Sequence, residues 1–489
     1  MATSSSEPSP VVIPGTPSRR VVLTGSLATG GALVGAVGAA TRAAAEPDVA
    51  AATGGASGPR PATTQAPDPE LRDLLRRVDA GRIEAIVRRL AAFGTRHTLS
   101  SQDDPNRGIG AARDWIFQEF QRYAATSGGR MSVELQSYVQ EPAPRIPTAT
   151  TITNVVATLR GVEAPDRIYV VTGHYDSRVT DVLNAVADAP GADDDASGVA
   201  VAMEVARLLA TRPLRATVVL AAVAGEEQGL FGSRHMATLM KAAGADVQGM
   251  FSYDIVGSSV GDDGSRDPHT VRLFAEGVPT AETPQQANIR RNVGGENDSP
   301  SRQLARFVQD VAENPATGMR IRVIYRRDRY LRGSDHIAFL EQAYPAARFT
   351  EPREDFAHQH QDVRVENGKQ FGDLPEFCDF AYIGRVARVN AAVLWSLAQG
   401  PGTPTGVQIL TNRLTNDTDL VWTRGPEPDL AGYEVVWRET TEPVWTHVVP
   451  VGDVTTARID LSKDNVFFGV RAVDRRGRHS PVAFPLPSQ

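Results

Sequence analysis

From about Asp68 onward, apolar residues recur at helical spacing. Leu71, Leu74, Leu75 and Val78 form one set, and Ile83, Ile86, Val87 and Leu90 repeat it, each lying on a single face of a 3.6-residue helix. A further helix is predicted over 110–123. The pattern then changes to β-branched runs at 154–159 and 167–172. Residues 216–223 read A-T-V-V-L-A-A-V, a continuous apolar run of the kind found in a strand buried on both faces. Strands are also predicted at 249–256, 319–325 and 346–349. Between them the spacing predicts helices at 197–210, 232–243 and 300–313. The last has Ser299 as N-cap and Pro300 in the first helical position, where a missing N–H costs nothing. A long helical segment over 374–397 closes the region, and the polar, turn-rich stretch 262–296 reads as a surface loop. Strands alternating with helices imply an α/β domain of three layers.

After Gly400 the texture changes. Pro401, Pro404 and Gly406 mark a linker, and short alternating segments follow at 420–422, 433–437, 447–451, 457–461 and 466–473. Turn residues separate them, which predicts a small antiparallel all-β sandwich. The motifs L-V-W, G-Y-E-V-V-W-R and V-F-F-G-V-R-A-V-D-R-R-G resemble a fibronectin type III module, with Val466 where that family has Tyr. Such a module could attach the chain to polysaccharide or cell wall, or serve only as a spacer. At the other end, Arg19-Arg20 precedes a weakly apolar run over 21–40, and Ala43-Ala44-Ala45 offers a small-residue cleavage site. This reads as a twin-arginine export signal. The expected organisation is a signal at 1–45, a flexible Ala/Gly/Pro/Thr linker at 46–66, a catalytic domain at 67–400 and the β module at 401–489.

Composition narrows the chemistry. Apolar residues make up 41% of the 489, enough for a large core. The net charge of −7, with Lys and Arg scattered, gives no phosphate-tracking surface, so no nucleic-acid partner is expected. No run beyond the N-terminal one suggests stable membrane insertion. Cys378 is the sole cysteine, which excludes an internal disulfide and a thiolate zinc cluster. Any metal must sit on His, Asp and Glu.

Five segments carry such groups. They are V-V-T-G-H-Y-D-S with His174 and Asp176, P-G-A-D-D-D-A-S-G with Asp193, Asp194 and Asp195, and A-G-E-E-Q-G-L-F-G-S with Glu226 and Glu227. The other two are F-S-Y-D-I-V with Asp254 and E-D-F-A-H-Q-H-Q-D with His358, His360 and Asp362. Singly, each has a bland reading: a satisfied histidine, a solvated acidic loop, charges that suit a helix start. Together they differ, because four of them follow or end a predicted strand, where ligand sites of α/β sheets gather. Imidazoles and carboxylates without thiolates also suit catalytic zinc.

In order and spacing, G-H-x-D-S, P-G-A-D-D-D-A-S-G and E-E-x-G-L-x-G-S resemble the co-catalytic zinc exopeptidases of metallopeptidase family 28, over about residues 70–400. That family includes aminopeptidases, glutamate carboxypeptidase relatives and glutaminyl cyclases. The resemblance implies a three-layer zinc-exopeptidase domain with a mixed central sheet, holding two Zn2+ per chain. His174 and Asp254 would bind one zinc, Glu227 and His358 the other, and Asp194 both. Glu226 would be the general base, and Asp176 would orient His174. A cis peptide between Asp194 and Asp195 is also implied. The segment Ser334-Asp335-His336 resembles one that lines the site without supplying a ligand.

Local chemistry leaves the fifth ligand open among His336, His358 and His360. The resemblance assigns it to His358, because Asp362 follows four residues later and the short strand at 346–349 precedes. Some family members place an oxyanion-stabilising Tyr immediately before the ligand His. Ala357 stands there, and Tyr330 is the substitute candidate. The implied activity is hydrolysis of peptides, first as an aminopeptidase, since only residues 175–193 separate His174 from Asp194 and no insert is evident. The same ligand set leaves open a carboxypeptidase or dipeptidase and a glutaminyl cyclase. An inactive binding protein would retain the fold without the chemistry. With no candidate ligand beyond Asp362, the β module is expected to be dispensable for small peptides.

Overall fold

The computed structural model describes residues 58–488. The expected export signal and residues 46–57 of the expected linker lie outside them. The core is an eight-stranded mixed sheet, built from β1 (Met131–Gln140), β2 (Thr150–Leu159), β3 (Ala164–His174), β4 (Ala216–Val223), β5 (Asp246–Tyr253), β6 (Thr270–Phe274), β7 (Arg320–Ile324) and β8 (Ala346–Thr350). Their spatial order is β1-β2-β4-β3-β5-β8-β6-β7. The central strands β4, β3, β5 and β8 are mutually parallel, so their carboxyl ends share one edge of the sheet.

Strand alternation sorts side chains between two cores. Val218, Leu220 and Ala222 of β4 join one cluster with the helices Ala80–Ala91, Ile109–Ala125, Ala196–Ala210 and Phe380–Gln399. Val219, Ala221 and Val223 face the opposite way, onto Met236 and Ala237 of the helix Phe231–Ala242 and onto the short helix His336–Glu341. The all-apolar run is therefore a strand covered on both sides, and the three layers follow from it.

The structure adds elements within and beyond the expected loop 262–296. That stretch contains β6 and the helix Pro284–Val293, which buries no residue and so carries no apolar stripe. A capping box between Thr283 and Gln286 and a left-handed Gly294 define its ends. Strand β1 reads M-S-V-E-L-Q-S-Y-V-Q, with polar residues interleaved as suits an edge strand wet on one face.

The C-terminal region forms two four-stranded sheets. Val407, Leu420 and Trp422 of one pack against Tyr433, Val435, Phe468 and Val470 of the other. This region is joined to the α/β domain by ion pairs, two of them buried on both sides. Arg167 pairs with Glu427 at 3.1 Å, Arg215 with Asp429 at 2.7 Å and Arg438 with Asp298 at 2.6 Å. Trp445 Nε1 donates to Gln303 Oε1 at 3.0 Å. The end of the expected linker is ordered too: Arg60–Pro61 pairs with the strand His447–Gly452, and Asp68 pairs with Arg478 at 2.7 Å. Among the described residues no helix is long and apolar enough to cross a membrane.

Candidate metal centre

The site forms along the shared carboxyl edge. His174 ends β3, Glu226 and Glu227 follow β4, and Asp254 follows β5. Asp194 enters from the loop that leads into the helix Ala196–Ala210, and the Asp194–Asp195 peptide is cis. Two buried sets of donor atoms result, His174 with Asp194 and Asp254, and Asp194 with Glu227 and His360. Asp194 belongs to both. Its Oδ1 is 3.0 Å from His174 Nε2, and its Oδ2 is 2.9 Å from His360 Nε2. His174 Nε2 lies 4.0 Å from Asp254 Oδ1, and His360 Nε2 lies 3.0 Å from Glu227 Oε1.

The second set corrects the expectation for His358. The turn 355–361 directs its two histidines apart. His358 stacks flat on Phe377, with ring centroids 3.7 Å apart, and its Nδ1 lies 3.6 Å from Asp355 Oδ2. His360 adopts a left-handed φ of 55°, rare for a residue with a side chain, and this turns its imidazole inward to Asp194 and Glu227. His336 stays out of both sets: it is buried, with Nε2 2.9 Å from the Arg327 carbonyl.

Asp176 also differs in detail from its expected part. The nearest partner of His174 Nδ1 is the Asp176 carbonyl at 3.1 Å, with the carboxylate at 3.6 Å. That carboxylate instead accepts the backbone N–H groups of Glu226 and Glu227 and the Thr98 hydroxyl. It therefore fixes the turn that carries both glutamates.

Several supporting residues escaped the sequence reading because they lie far away in the chain. Asp373 accepts the N–H of Asp193 and Asp194 at 2.9 and 2.8 Å. Arg348 pairs with Asp254 at 3.0 Å, and Arg178 Nε with Glu227 Oε2 at 2.8 Å. Arg96, fully buried, donates to the carbonyls of Tyr175 and Gly191 on either side of the ligand loop. Asp195, already singled out beside Asp194, accepts the His174 N–H at 2.9 Å.

The electrostatics are those of a crowded acidic site. Burial pushes the Glu226 carboxyl well above its ordinary value; Asp254, Glu227 and Asp335 add to this, and His174 opposes it. Burial would also raise Asp194, but His360 and His174 outweigh it and hold this carboxyl well below the usual range. Burial opposes protonation of His360, yet Glu227 and Asp194 push it up to about 10. Asp335, fully buried behind the site, is raised to about 6 by burial.

The donors fit a cation. Glu227 Oε1 and His360 Nε2 are buried and lack a hydrogen-bonded partner, although they lie within 3.0 Å of each other. Unpartnered buried polar atoms are costly unless something else satisfies them. Two imidazoles and three carboxylates, one shared, suit a pair of zinc ions.

Residues 154–367 match the sequence profile of peptidase family M28. A protein of Leptosphaeria maculans named "Probable zinc metalloprotease" is 56% identical over 422 residues, covering 86% of this chain and 98% of that protein. A like-named protein of Pyricularia oryzae is 55% identical, covering 87% of this chain and 86% of that protein. Among solved structures, the LapA aminopeptidase of Legionella pneumophila aligns with a TM-score of 0.48 at 17% identity, over 68% of this chain and 78% of that one. A glutaminyl cyclase of Porphyromonas gingivalis aligns with a TM-score of 0.45 at 17% identity, over 65% and 97%.

Proposed function

This chain belongs to peptidase family M28, and we propose that it is a dinuclear zinc exopeptidase that releases N-terminal residues from peptides. The observation that carries the reading is Asp194, which offers one oxygen to each of two buried donor sets. Bound there, zinc supplies a Lewis acid for the scissile carbonyl and an acidified water. Glu226 takes the proton of the attacking water and delivers it to the leaving amine. Its carboxyl is raised by burial, which suits a group that must both accept and return a proton. Asp176 holds the Glu226–Glu227 turn, while Arg348 and Arg178 hold Asp254 and Glu227 from outside.

Charge favours a free N-terminus over a free C-terminus. Arg178 and Arg348, which reach donor carboxylates, are each engaged by a candidate ligand, while Arg145 donates to the Glu227 carbonyl at 2.7 Å. Anchoring a substrate carboxylate on Arg178 or Arg348 would require releasing a candidate ligand. The excess of negative charge around Glu226, from Asp254, Glu227 and Asp335, suits a substrate ammonium. Export through the twin-arginine segment is part of the proposal.

The test is a peptide panel with the zinc-loaded protein, with and without chelator. Hydrolysis of N-terminally free peptides, abolished by N-blocking and by chelator, is the expected outcome. Cleavage of N-blocked peptides with free C-termini would replace this reading with a carboxypeptidase. Cyclisation of N-terminal Gln without hydrolysis would replace it with a glutaminyl cyclase.

A further inference from the structure

One side of the metal centre carries a rim that the hydrolytic machinery does not use. Residues 325–332 read Y-R-R-D-R-Y-L-R. Asp328 anchors the segment to the site through Arg348, whose guanidinium reaches Asp328 Oδ1 at 3.0 Å and Asp254 Oδ1 at 3.0 Å. His336 Nε2 lies against the Arg327 carbonyl at 2.9 Å and holds the same segment from below. Beyond this anchor the chain projects. Tyr330 is 80% exposed, and Leu331 is fully exposed at a left-handed φ of 54°. Phe356, four residues before His360, is 54% exposed and lies under the Arg332 guanidinium at 5.6 Å. Tyr330, Leu331 and Phe356 thus expose apolar surface on two segments joined by the Arg332–Phe356 contact, and exposed apolar surface beside a site is of the kind that marks binding.

The charge of this rim is unbalanced. Glu354 is shared by Arg272, Arg329 and Arg332, at 3.0, 3.2 and 2.9 Å. Asp328 is taken by Arg348 and Arg329. Both Arg326 and Arg327 are exposed; among the described residues neither forms an ion pair within 4.0 Å, although Arg327 lies near enough to Glu276 to lower its carboxyl. The Arg326 guanidinium stacks on the Tyr330 ring at 4.0 Å and donates to its hydroxyl at 3.2 Å, an arrangement that orders the cation without neutralising it.

We propose that this rim binds the stretch of a peptide substrate downstream of the scissile bond and selects acidic side chains there. Tyr330, Leu331 and Phe356 supply apolar contact, and Arg326 and Arg327 pair with the substrate's carboxylates. The inference rests on the peptidase reading of the adjoining site and adds a substrate class to it. The contacts are exposed, so the preference is salt-sensitive.

Three substrates with the same N-terminal Leu test it: Leu-p-nitroanilide, which has no downstream residues, and two hexapeptides whose tails are Asp/Glu-rich or Lys-rich. The wild type is expected to favour the acidic tail in kcat/KM. In R326E/R327E the acidic tail should lose roughly tenfold, the scale two exposed charge pairs reach, while the anilide is unchanged. Fluorescence anisotropy of labelled hexapeptides on the Glu226→Gln protein reads tail preference without turnover and should fall in parallel when the two arginines are replaced. Equal use and equal binding of both tails by the wild type would overturn the proposal, as would anilide turnover falling with the acidic peptide. Absence of hydrolysis of all three substrates, with acidic-tail binding retained, would count against the peptidase reading and still support the rim.

Discussion

Replacing His360 by Ala is expected to weaken one of the two proposed zinc sites, while replacing His358 by Ala leaves both filled. The structure sets the scale. His360 Nε2 sits 2.9 Å from Asp194 Oδ2 and 3.0 Å from Glu227 Oε1, so the second set has three protein donors and the substitution leaves two carboxylates. A four-ligand zinc site is worth roughly 10–16 kcal/mol, or about 3–4 kcal/mol per ligand if shared evenly. That corresponds to two to three decades in Kd. The first set, with His174, Asp194 and Asp254, keeps its donors, so one zinc stays tight. His358→Ala removes instead the stack on Phe377, worth about 0.5–1.5 kcal/mol, and should appear as a small loss of thermal stability with zinc content unchanged. Equilibrium dialysis against buffered zinc, with elemental analysis of the retained protein, reads both variants, and circular dichroism confirms that they are folded. Loss of one zinc from His358→Ala, with two kept in His360→Ala, would refute the geometry assigned to the turn 355–361.

Other outcomes follow from the same structure. Glu226→Gln should keep both zincs and lose roughly 10²–10⁴-fold in turnover; near-normal kcat in the fully metallated variant would remove Glu226 as the base. Arg438→Met strips a 1%-exposed cation from Asp298, which keeps Arg306 at 2.8 Å, and should cost about 1.5–3 kcal/mol by urea denaturation, the scale for a lost hydrogen bond to a charged group; a cost below about 1 kcal/mol would show the pair to be solvated. Burial would raise the Glu354 carboxyl, but Arg329, Arg348, Arg332 and Arg272 hold it at about 2 against an ordinary 4.5. Its contribution is therefore present above pH 4.5 and lost as pH falls toward 2, so the stability gap between wild type and Glu354→Gln should narrow over that window; a gap constant with pH would contradict this. A chain ending at residue 400 takes Glu427 from Arg167, Asp429 from Arg215 and Arg438 from Asp298, leaving Arg215 with Glu163 and Asp298 with Arg306, and should melt below the full chain; an unchanged Tm would show the C-terminal sheets to be separable.

What the sequence carried was the part written locally. The run A-T-V-V-L-A-A-V became β4 at the same residues, because a strand covered on both faces has no polar position to confuse its pattern. His174, Asp194, Glu227 and Asp254 meet because parallel strands deliver their carboxyl ends to one edge. The choice between His358 and His360 was not local. It depends on one left-handed residue in a turn, and no period or propensity marks which of two histidines takes that conformation. Asp362, two residues after His360, echoed the spacing of Asp176 after His174. Yet the group at His360 Nδ1 is Arg178, 2.5 Å away and 182 positions distant in sequence. Arg178 reaches Glu227 across 49 positions, Arg348 reaches Asp254 across 94 and Asp373 reaches Asp193 across 180, and each looks like an ordinary surface charge until the fold is known.

The C-terminal sheets present the same difficulty at larger scale. Pro401, Pro404 and Gly406 read as a break between independent units, but the chain beyond them returns to the root of the rim. The Pro443 carbonyl accepts Arg306 Nε at 2.8 Å and the Tyr325 hydroxyl at 3.3 Å. Arg302, from the same helix as Arg306, stacks on the Tyr325 ring at 3.9 Å. Tyr325 opens the segment whose Asp328 reaches Arg348 and, through it, Asp254. Buried ion pairs such as Arg438–Asp298 add little net stability relative to an apolar interface, yet breaking one partner is strongly destabilising. The contacts themselves are geometric: Asp298 and Arg306 hold Arg438 and the Pro443 carbonyl, and Arg302 of the same helix stacks on Tyr325. A separable module would need no such constraint. A wall of the proposed substrate cleft would, because displacing Tyr325 moves the base of the segment whose Asp328 is tied through Arg348 to Asp254.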